Sequence, residues 1–216
     1  GFPYSDPVMD GPTIQAAAVQ SLSQGTGAKE VFESVQCAHD HGVATVVMTY
    51  WNPIERYGVD KFAQAIADHG GSGVITPDLT VEESEGWIAA TDASKINRIY
   101  VVAPSTSDSR LPVVTRQCGG FVYAASMMGV TGTRTSVSSS AAELVARVRK
   151  ATDTPISVGL GVSNREQARS VAGYADGVIV GSAFINALLD APDEAAGLRA
   201  VKELAKELAL GVREGR

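Results

Sequence analysis

The sequence predicts an α/β fold built on a parallel β-sheet. Short runs rich in Val and Ile alternate with longer amphipathic segments along the chain. The runs are apolar at consecutive positions, as strands buried on both faces of a parallel sheet are. They cover residues 43–50, 73–77, 96–104, 120–126, 155–161 and 176–182. No low-complexity linker or break in composition interrupts this alternation, so we predict one domain over residues 1–216.

Sequence signals that start or end helices lie between the predicted strands. Three S/T-x-x-E patterns fit the capping box that opens a helix, and two aspartates stand at N-cap positions before further amphipathic segments. These predicted helix starts are Asp60, Thr80, Ser140, Ser163 and Asp193. Another helix is predicted over residues 28–41 and closed by the glycine at position 42.

Composition and charge exclude several classes of protein. The formal net charge of the 216 residues is −6 and no basic cluster occurs, which argues against a nucleic-acid partner. No apolar run approaches the ~20 residues that a membrane-spanning helix needs, so we predict no membrane partner. We expect Cys37 and Cys118 to be buried thiols, which fits the cytoplasm. The three histidines are spaced unsuitably for a shared metal site, and no metal is expected.

The number of strands favours a barrel over an open sheet. Six strands are visible, and the first residues, GFPYSDPVMDGPTIQ, have the composition of a loop that follows a strand. A (β/α)8 TIM barrel accounts for both features if the first two strands and first helices precede Gly1. A doubly wound open sheet is the alternative, but it would carry a G-x-G-x-x-G turn after its first strand, and no such turn occurs.

Glycine clusters follow the late strands and predict a phosphate site. GVTG, GLG and GS occupy residues 129–132, 159–161 and 181–182. Glycine lets the backbone approach an anion, and the free N–H groups and dipole of a helix start supply positive charge. The absence of a lysine-bearing P-loop favours a phosphomonoester over a nucleotide. In the alternative interpretation these glycines only form turns between strands and helices.

At this point the motifs resemble a known family. Residues 3–15, PYSDPVMDGPTIQ, resemble the signature loop of the tryptophan synthase α chain family. Further matches cover nearly the whole chain: MTYWNP at 48–53, PDL and EES within 77–84, GFVYAAS at 120–126, GVTG at 129–132, VGLGVS at 158–163 and VIVGSA at 178–183. The resemblance implies a (β/α)8 barrel that cleaves indole-3-glycerol phosphate to indole and glyceraldehyde 3-phosphate in the cytoplasm. It also implies an α2β2 complex with a β chain that carries pyridoxal phosphate, and no cofactor in this chain.

The resemblance assigns Asp10 as a catalytic residue. Cleavage at indole C3 passes through a tautomer whose ring nitrogen carries developing positive charge, and a fixed carboxylate bonded to its N–H stabilises that state. Asp6, in the same loop, matches a structural aspartate that we expect to accept backbone N–H groups. The loop around Pro3 helps to meet the β chain in this family.

The resemblance also assigns binding residues. Tyr123 matches the tyrosine that lines the indole pocket, and Thr131 matches a threonine of a mobile lid, which the polar residues 133–140 continue. Apolar strand positions expected in the pocket are Met48, Ile75, Val101 and Leu160, each of which could equally be ordinary core. Phosphate-binding positions are matched by Gly132, Gly161, Gly181 and Ser182.

One catalytic residue of the family has no counterpart in the chain. The family's proton-shuttling glutamate lies two positions before Gly1, and no motif places Glu55, Glu82, Glu83 or Glu85 at the pocket. We therefore expect residues 1–216 alone to be inactive. Two alternatives remain at this point: a catalytically silent module that activates a β chain, and another phosphate-binding barrel enzyme of the same pathway.

Overall fold

The computed structural model describes residues 1–126 and 134–216, and for residues 134–139 it describes only the backbone. Within these residues six strands alternate with helices. The strands are β1 (Val46–Met48), β2 (Gly73–Thr76), β3 (Asn97–Val102), β4 (Val122–Ala125), β5 (Ile156–Gly159) and β6 (Gly177–Ile179). The helices are α1 (Pro12–Ser23), α2 (Ala28–Asp40), α3 (Trp51–Tyr57), α4 (Val59–Asp68), α5 (Glu85–Ser94), α6 (Leu111–Thr115), α7 (Arg134–Arg149), α8 (Arg165–Ala172), α9 (Ser182–Leu189) and α10 (Glu194–Glu214), with a short 3₁₀ helix at Val81–Glu83.

The strands are hydrogen bonded in chain order, from β1 to β6. β1 pairs in parallel with β2, β2 with β3, and β5 with β6. All four residues of β2 are buried, as its run of consecutive apolar residues predicts for a strand covered on both faces. The predicted α/β fold with parallel strands is therefore confirmed.

Contacts within the chain form two compact units. The first comprises residues 1–101 and 113–122, and the second comprises residues 102–112 and 123–216. The core of the first unit includes the fully buried side chains of Ile54, Phe62 and Val74. Burial of each such side chain contributes about 1.5–3 kcal/mol to stability.

The second unit has a core of its own. Val148 of α7, Ile156 and Val158 of β5 and Ala168 of α8 are almost completely buried. Helices α8 and α10 pack against each other so closely that a Cβ on Gly211 would lie inside contact distance of the backbone of α8. Small residues on α10 therefore set the spacing of the two helices.

Two predicted helix ends are confirmed. The Asp193 carboxylate accepts the N–H of Ala196 at 2.7 Å and caps α10. Helix α2 ends at Asp40, and Gly42 follows it with a φ of +72°, a left-handed conformation that favours glycine.

Other predicted helix starts are wrong by one or more residues. Asp60 lies in the first turn of α4 because Gly58, at a φ of +99°, turns the chain directly from α3 into α4. Asn164, one residue after the predicted Ser163, caps α8 by accepting the N–H of Gln167. Ser140 lies inside α7, which begins at Arg134. Thr80 precedes only the 3₁₀ helix and makes no side-chain cap.

The prediction for Cys37 is also wrong, because this residue is exposed, and Cys118 is half-buried. The buried face of α2 carries Phe32 and Val35. Cys37 follows Val35 by two positions, which turns its side chain by about 200° around the helix to the solvent side.

Candidate active site

The loop that carries Asp10 is docked on the end of β1. The N–H of Phe2 donates to the carbonyl of Met48, the last residue of β1, at 2.9 Å. The ring of Phe2 packs against Phe62, and the ring of Tyr4 packs on Tyr50 with a centroid separation of 5.2 Å. Ligands of parallel α/β folds bind at the carboxyl ends of the strands, and the loop lies at such an end.

Asp10 is half-buried and is held by both its main chain and its side chain. Its carbonyl accepts a hydrogen bond from Nε2 of Gln15 at 2.7 Å. The hydroxyl of Tyr50 accepts the N–H of the preceding Met9 at 3.0 Å, and as a hydrogen-bond donor beside the Asp10 carboxylate it acts to lower the pKa of that group. Tyr50 is buried two residues after the end of β1, so the sheet fixes the phenol that holds the Asp10 segment.

The electrostatics of this pair keep one proton on Tyr50. Burial raises the pKa of Asp10, while the hydrogen bond from Tyr50 opposes that rise. Burial also raises the pKa of Tyr50, and the charge of Asp10 adds to the effect. At neutral pH the phenol is therefore protonated and stabilises the ionised form of the Asp10 carboxylate.

Three predicted apolar residues of the first unit share one face of the sheet. Met48 of β1 is paired in register with Ile75 of β2, which is paired with Ile99 of β3. Val101 follows Ile99 by two positions and therefore points to the same face. Ile75 is buried, whereas Met48 and Val101 are half-buried. Their shared face suits them to line an apolar site.

Tyr123, in the second unit, is packed over a glycine of the neighbouring strand. A Cβ on Gly159 of β5 would lie 2.4 Å from the Tyr123 hydroxyl oxygen. Burial raises the pKa of Tyr123, so this phenol is neutral. Leu160, which follows Gly159 directly, is buried.

The predicted phosphate residues of the second unit lie after β5 and β6. Gly161 has a φ of +69°, which glycine adopts without strain. Gly181 is the N-cap of α9, and a Cβ there would meet no atom within 4 Å. Ser182 is the first residue of α9. The backbone at this helix start is therefore open to an approaching anion.

Some predictions fall outside what the structure describes. Thr131 and Gly132 lie outside the described residues. Of the predicted lid at 133–140, the backbone from residue 134 onward is the start of α7.

The structure corrects the role that we predicted for Asp6. This residue is exposed, and its carboxylate accepts the hydroxyl hydrogen of Ser5 at 2.5 Å. We expected backbone N–H donors instead. The adjacent serine satisfies the carboxylate locally, because Asp6 lies on the solvent side of the loop.

Sequence reasoning missed two residues of the site. Tyr50 lies within the MTYWNP motif, but nothing in the motif indicates that its hydroxyl reaches a loop 40 residues earlier. Gly159 belongs to a glycine cluster that we predicted to bind phosphate. The structure instead shows Gly159 packed under Tyr123.

Neither a metal cluster nor a membrane helix is found in the part of the chain that the structure describes. Within residues 1–126 and 134–216, no group of three or more His, Cys, Asp or Glu side chains is arranged to hold a metal ion. In the same residues no helix combines the length and apolar character needed to cross a membrane.

Comparison with protein families gives a match over almost the whole chain. Residues 1–213 match the family model described as "Tryptophan synthase alpha chain". The chain is 56% identical over 216 residues to the tryptophan synthase alpha chain of Thermobifida fusca, with 99% of this chain and 80% of the relative covered. It is 55% identical to that of Streptomyces coelicolor, with 99% and 79% covered. The chain thus spans about four-fifths of the length of these relatives.

Solved structures give the same result. Tryptophan synthase of Mycobacterium tuberculosis matches with a TM-score of 0.89 at 49% identity, covering 98% of this chain and 79% of that chain. The tryptophan synthase complex of Pyrococcus furiosus matches with a TM-score of 0.83 at 31% identity, covering 96% of this chain and 83% of that chain. With the docked Asp10 loop, the family model and these relatives in agreement, the chain belongs to the tryptophan synthase alpha chain family.

Proposed function

We propose that this chain cleaves indole-3-glycerol phosphate to indole and glyceraldehyde 3-phosphate in tryptophan biosynthesis. Family membership supports this function, and one structural observation carries it. The buried Tyr50, near the carboxyl end of β1, holds the loop that resembles the family's signature through the N–H of Met9 and acts to lower the pKa of the Asp10 carboxylate. A pre-positioned carboxylate is what the charge developing on an indole nitrogen requires.

Asp10 acts on the indole ring in its ionised form. The carboxylate accepts the indole N–H and stabilises the positive charge that develops when C3 is protonated. The bond between C3 and the side-chain carbon then breaks, and the adjacent hydroxyl loses its proton as it becomes the aldehyde of glyceraldehyde 3-phosphate. The charge is present in the transition state and absent in the substrate, so the interaction lowers the barrier rather than merely binding substrate.

The proton shuttle requires a second acid. Among the side chains of the described residues, the one that shifts the pKa of Asp10 is the Tyr50 phenol, which is not a carboxylic acid. We therefore propose that residues 1–216 alone cleave little or no substrate. We propose that the full-length protein is an eight-stranded barrel. In it, a glutamate from a strand outside the six described ones supplies the second carboxylic acid.

The other predicted residues have binding roles in this proposal. Gly161, Gly181 and Ser182 offer backbone N–H groups and the start of α9 to the phosphate. Met48, Ile75, Val101, Leu160 and the ring of Tyr123 supply apolar contacts to the indole. Thr131 and Gly132 keep their predicted roles at the lid and the phosphate.

A β chain receives the indole in this proposal. The loop of residues 2–10 presents Val8 and Met9 to solvent at 77% and 51% exposure, which suits an interface. We propose an α2β2 complex in the cytoplasm in which pyridoxal phosphate belongs to the β chain and this chain holds no cofactor.

Substitution of Asp10 tests the function. In the full-length protein, Asp10→Asn keeps the shape of the side chain but removes its charge, so we expect kcat for indole release to fall by at least about 100-fold. Asp68→Asn is the matched control, because Asp68 is exposed and accepts the side-chain amide of Gln64 on the surface of α4. Indole release by Asp10→Asn at the wild-type rate would refute the assignment, and a wild-type protein that releases no indole would refute the function.

A further inference from the structure

Asp78 belongs to the PDL motif at residues 77–79, which the site described above does not use. Both of its carboxylate oxygens accept the N–H of Trp51, at 2.9 and 3.1 Å. Asp78 follows the end of β2 and Trp51 follows the end of β1, and these strands are neighbours. The carboxylate therefore ties together two loops at the carboxyl ends of the strands.

This contact replaces the usual cap of a helix. Trp51 is the first residue of α3, where backbone N–H groups have no partner within the helix. The N-cap residue commonly satisfies one of them with its own side chain, but here the N-cap is Tyr50 and makes no such bond. The Tyr50 side chain is directed to Met9 and Asp10 instead. Asp78 thus caps α3 and leaves Tyr50 free for the site.

The same contact fixes the main chain of Tyr50. The nitrogen of Trp51 and the carbonyl of Tyr50 belong to one planar peptide unit, so holding that nitrogen restricts the Tyr50 backbone. On the other side of this unit, the Trp51 ring packs edge-on against the buried Trp87 at a centroid distance of 5.9 Å. Tyr50 in turn contacts Tyr4 and holds the Asp10 segment.

We infer that Asp78 is a positioning residue for the reaction: through the peptide unit of Trp51 it holds Tyr50, and through Tyr50 it holds the carboxylate of Asp10. This inference rests on the proposed function. It goes further by extending the site to a residue on a second loop that contacts Asp10 only indirectly.

Kinetics of the full-length protein test the inference. Asp78→Ala should lower kcat for indole release by about 10-fold or more, since a misplacement of 1 Å costs on the order of 100-fold. KM should change less, because the interaction of Asp10 strengthens only in the transition state. Asp78→Asn keeps one accepting oxygen for Trp51 and should retain most of the activity.

Two comparisons separate positioning from general stability. Asp193→Ala removes an equivalent helix cap from α10 and should leave kcat near the wild-type value. In a double-mutant cycle, Tyr50→Phe and Asp78→Ala together should cost no more than Tyr50→Phe alone, because Asp78 acts through Tyr50. Fully additive losses would overturn the inference.

The pH profile supplies a readout that a merely structural role would not move. The Tyr50 hydrogen bond lowers the pKa of Asp10, so its loss raises that pKa. Activity needs the ionised carboxylate and is lost as the pH falls through this pKa, so the acid limb should move to higher pH in both Tyr50→Phe and Asp78→Ala. Among the side chains of the described residues, the titratable group that acts on Asp10 is the Tyr50 phenol, and where further residues precede Gly1 its nitrogen is a peptide N–H that does not titrate.

Carboxyl NMR keeps this test independent of the proposed function. Titration of the Asp10 carboxyl signal should show the same upward movement of its pKa in Tyr50→Phe and Asp78→Ala. If wild type releases no indole, the function fails while the titration still decides the inference. An Asp10 titration that moves in Tyr50→Phe and stays unchanged in Asp78→Ala would overturn it.

Discussion

At the scale of single residues, Gly159 is a glycine because Tyr123 occupies the space of its side chain. A Cβ on Gly159 would lie 2.4 Å from the Tyr123 hydroxyl oxygen, 2.6 Å from Cε2 and 2.9 Å from Cζ. All three distances are below the 3.0 Å that real Cβ contacts essentially never undercut. The two residues, on β5 and β4, therefore form a matched pair in which the glycine sets the position of the ring.

This pair predicts the effect of adding one methyl group. Gly159→Ala should push the Tyr123 ring away and lower the free energy of unfolding by about 1–3 kcal/mol, the usual cost of overpacking. If Tyr123 contacts the indole as proposed, the KM for indole-3-glycerol phosphate should also rise. Urea denaturation and steady-state kinetics of the full-length protein measure the two effects.

A second substitution shows whether the hydroxyl causes the clash. Tyr123→Phe in the Gly159→Ala background removes the nearest atom but leaves the ring carbons at 2.6 and 2.9 Å. Stability should therefore recover in part and not completely. A Gly159→Ala protein as stable as wild type would show that the ring can turn away, and the matched-pair explanation would be wrong.

At the scale of secondary-structure elements, glycines of α10 bring it close to α8. A Cβ on Gly211 would lie 3.0 Å from the carbonyl carbon of Arg165 and closer still to its oxygen. A Cβ on Gly215, the C-cap residue of α10, would likewise clash with the carbonyl group of Arg169. Because these obstacles are backbone atoms, a side chain at either position cannot be accommodated by a rotamer change alone.

Two glycine-to-alanine substitutions should therefore have opposite effects. Gly211→Ala should lower the free energy of unfolding by about 1–3 kcal/mol, because α8 and α10 must move apart. Gly86→Ala, in α5, should raise it by about 0.4–1 kcal/mol, since a Cβ there meets no atom within 4 Å and alanine favours the helix. Urea denaturation of both variants measures the difference. Equal effects of the two substitutions would show that helix propensity, and not packing, controls both sites.

Helices and strands were predictable from the sequence to different degrees. All six predicted strands are present, since continuous apolar runs identify doubly buried strands directly. Helix starts were less certain because several candidate caps stood in a row. At α8 the capping oxygen belongs to Asn164 rather than Ser163, and local sequence could not distinguish the two. Helix α1 was missed, although Pro12 at its first turn is a typical start signal.

The candidate site was predictable where the chemistry lies in one motif. Asp10 was predicted from the motif of its loop and its catalytic role stays a prediction, while the structure shows the start of that loop hydrogen bonded to the end of β1. The contacts by which Tyr50 and Asp78 hold the site could not be predicted. Each side chain meets its hydrogen-bond partner across 27 to 41 positions of sequence. Contacts of that range depend on the register of the strands, which the sequence pattern alone does not give.

At the scale of the whole molecule, the last strand in the sheet differs from the interior ones. All residues of β2 are buried, whereas all three residues of β6 are only half-buried. Beside β6 an apolar cavity of about 310 Å³ is lined by Val178, Phe184, Leu208 and Val212, among others. Within the described residues β6 is the terminal strand of the sheet, and exposed apolar surface next to such a strand promotes association between chains.

A polypeptide of residues 1–216 produced alone should therefore self-associate and bind the dye ANS, in addition to lacking cleavage activity. Sedimentation velocity at micromolar to millimolar concentrations, where such surfaces aggregate, measures the association. Val180→Lys places a charge at the β6 cavity and should reduce it, because charged side chains block edge pairing. Val113→Lys is the control, since Val113 is 43% exposed on α6, which belongs to neither terminal strand, and this variant should associate as the unsubstituted polypeptide does. A polypeptide that stays monomeric and does not bind ANS would show that this surface is already closed, and would refute the prediction.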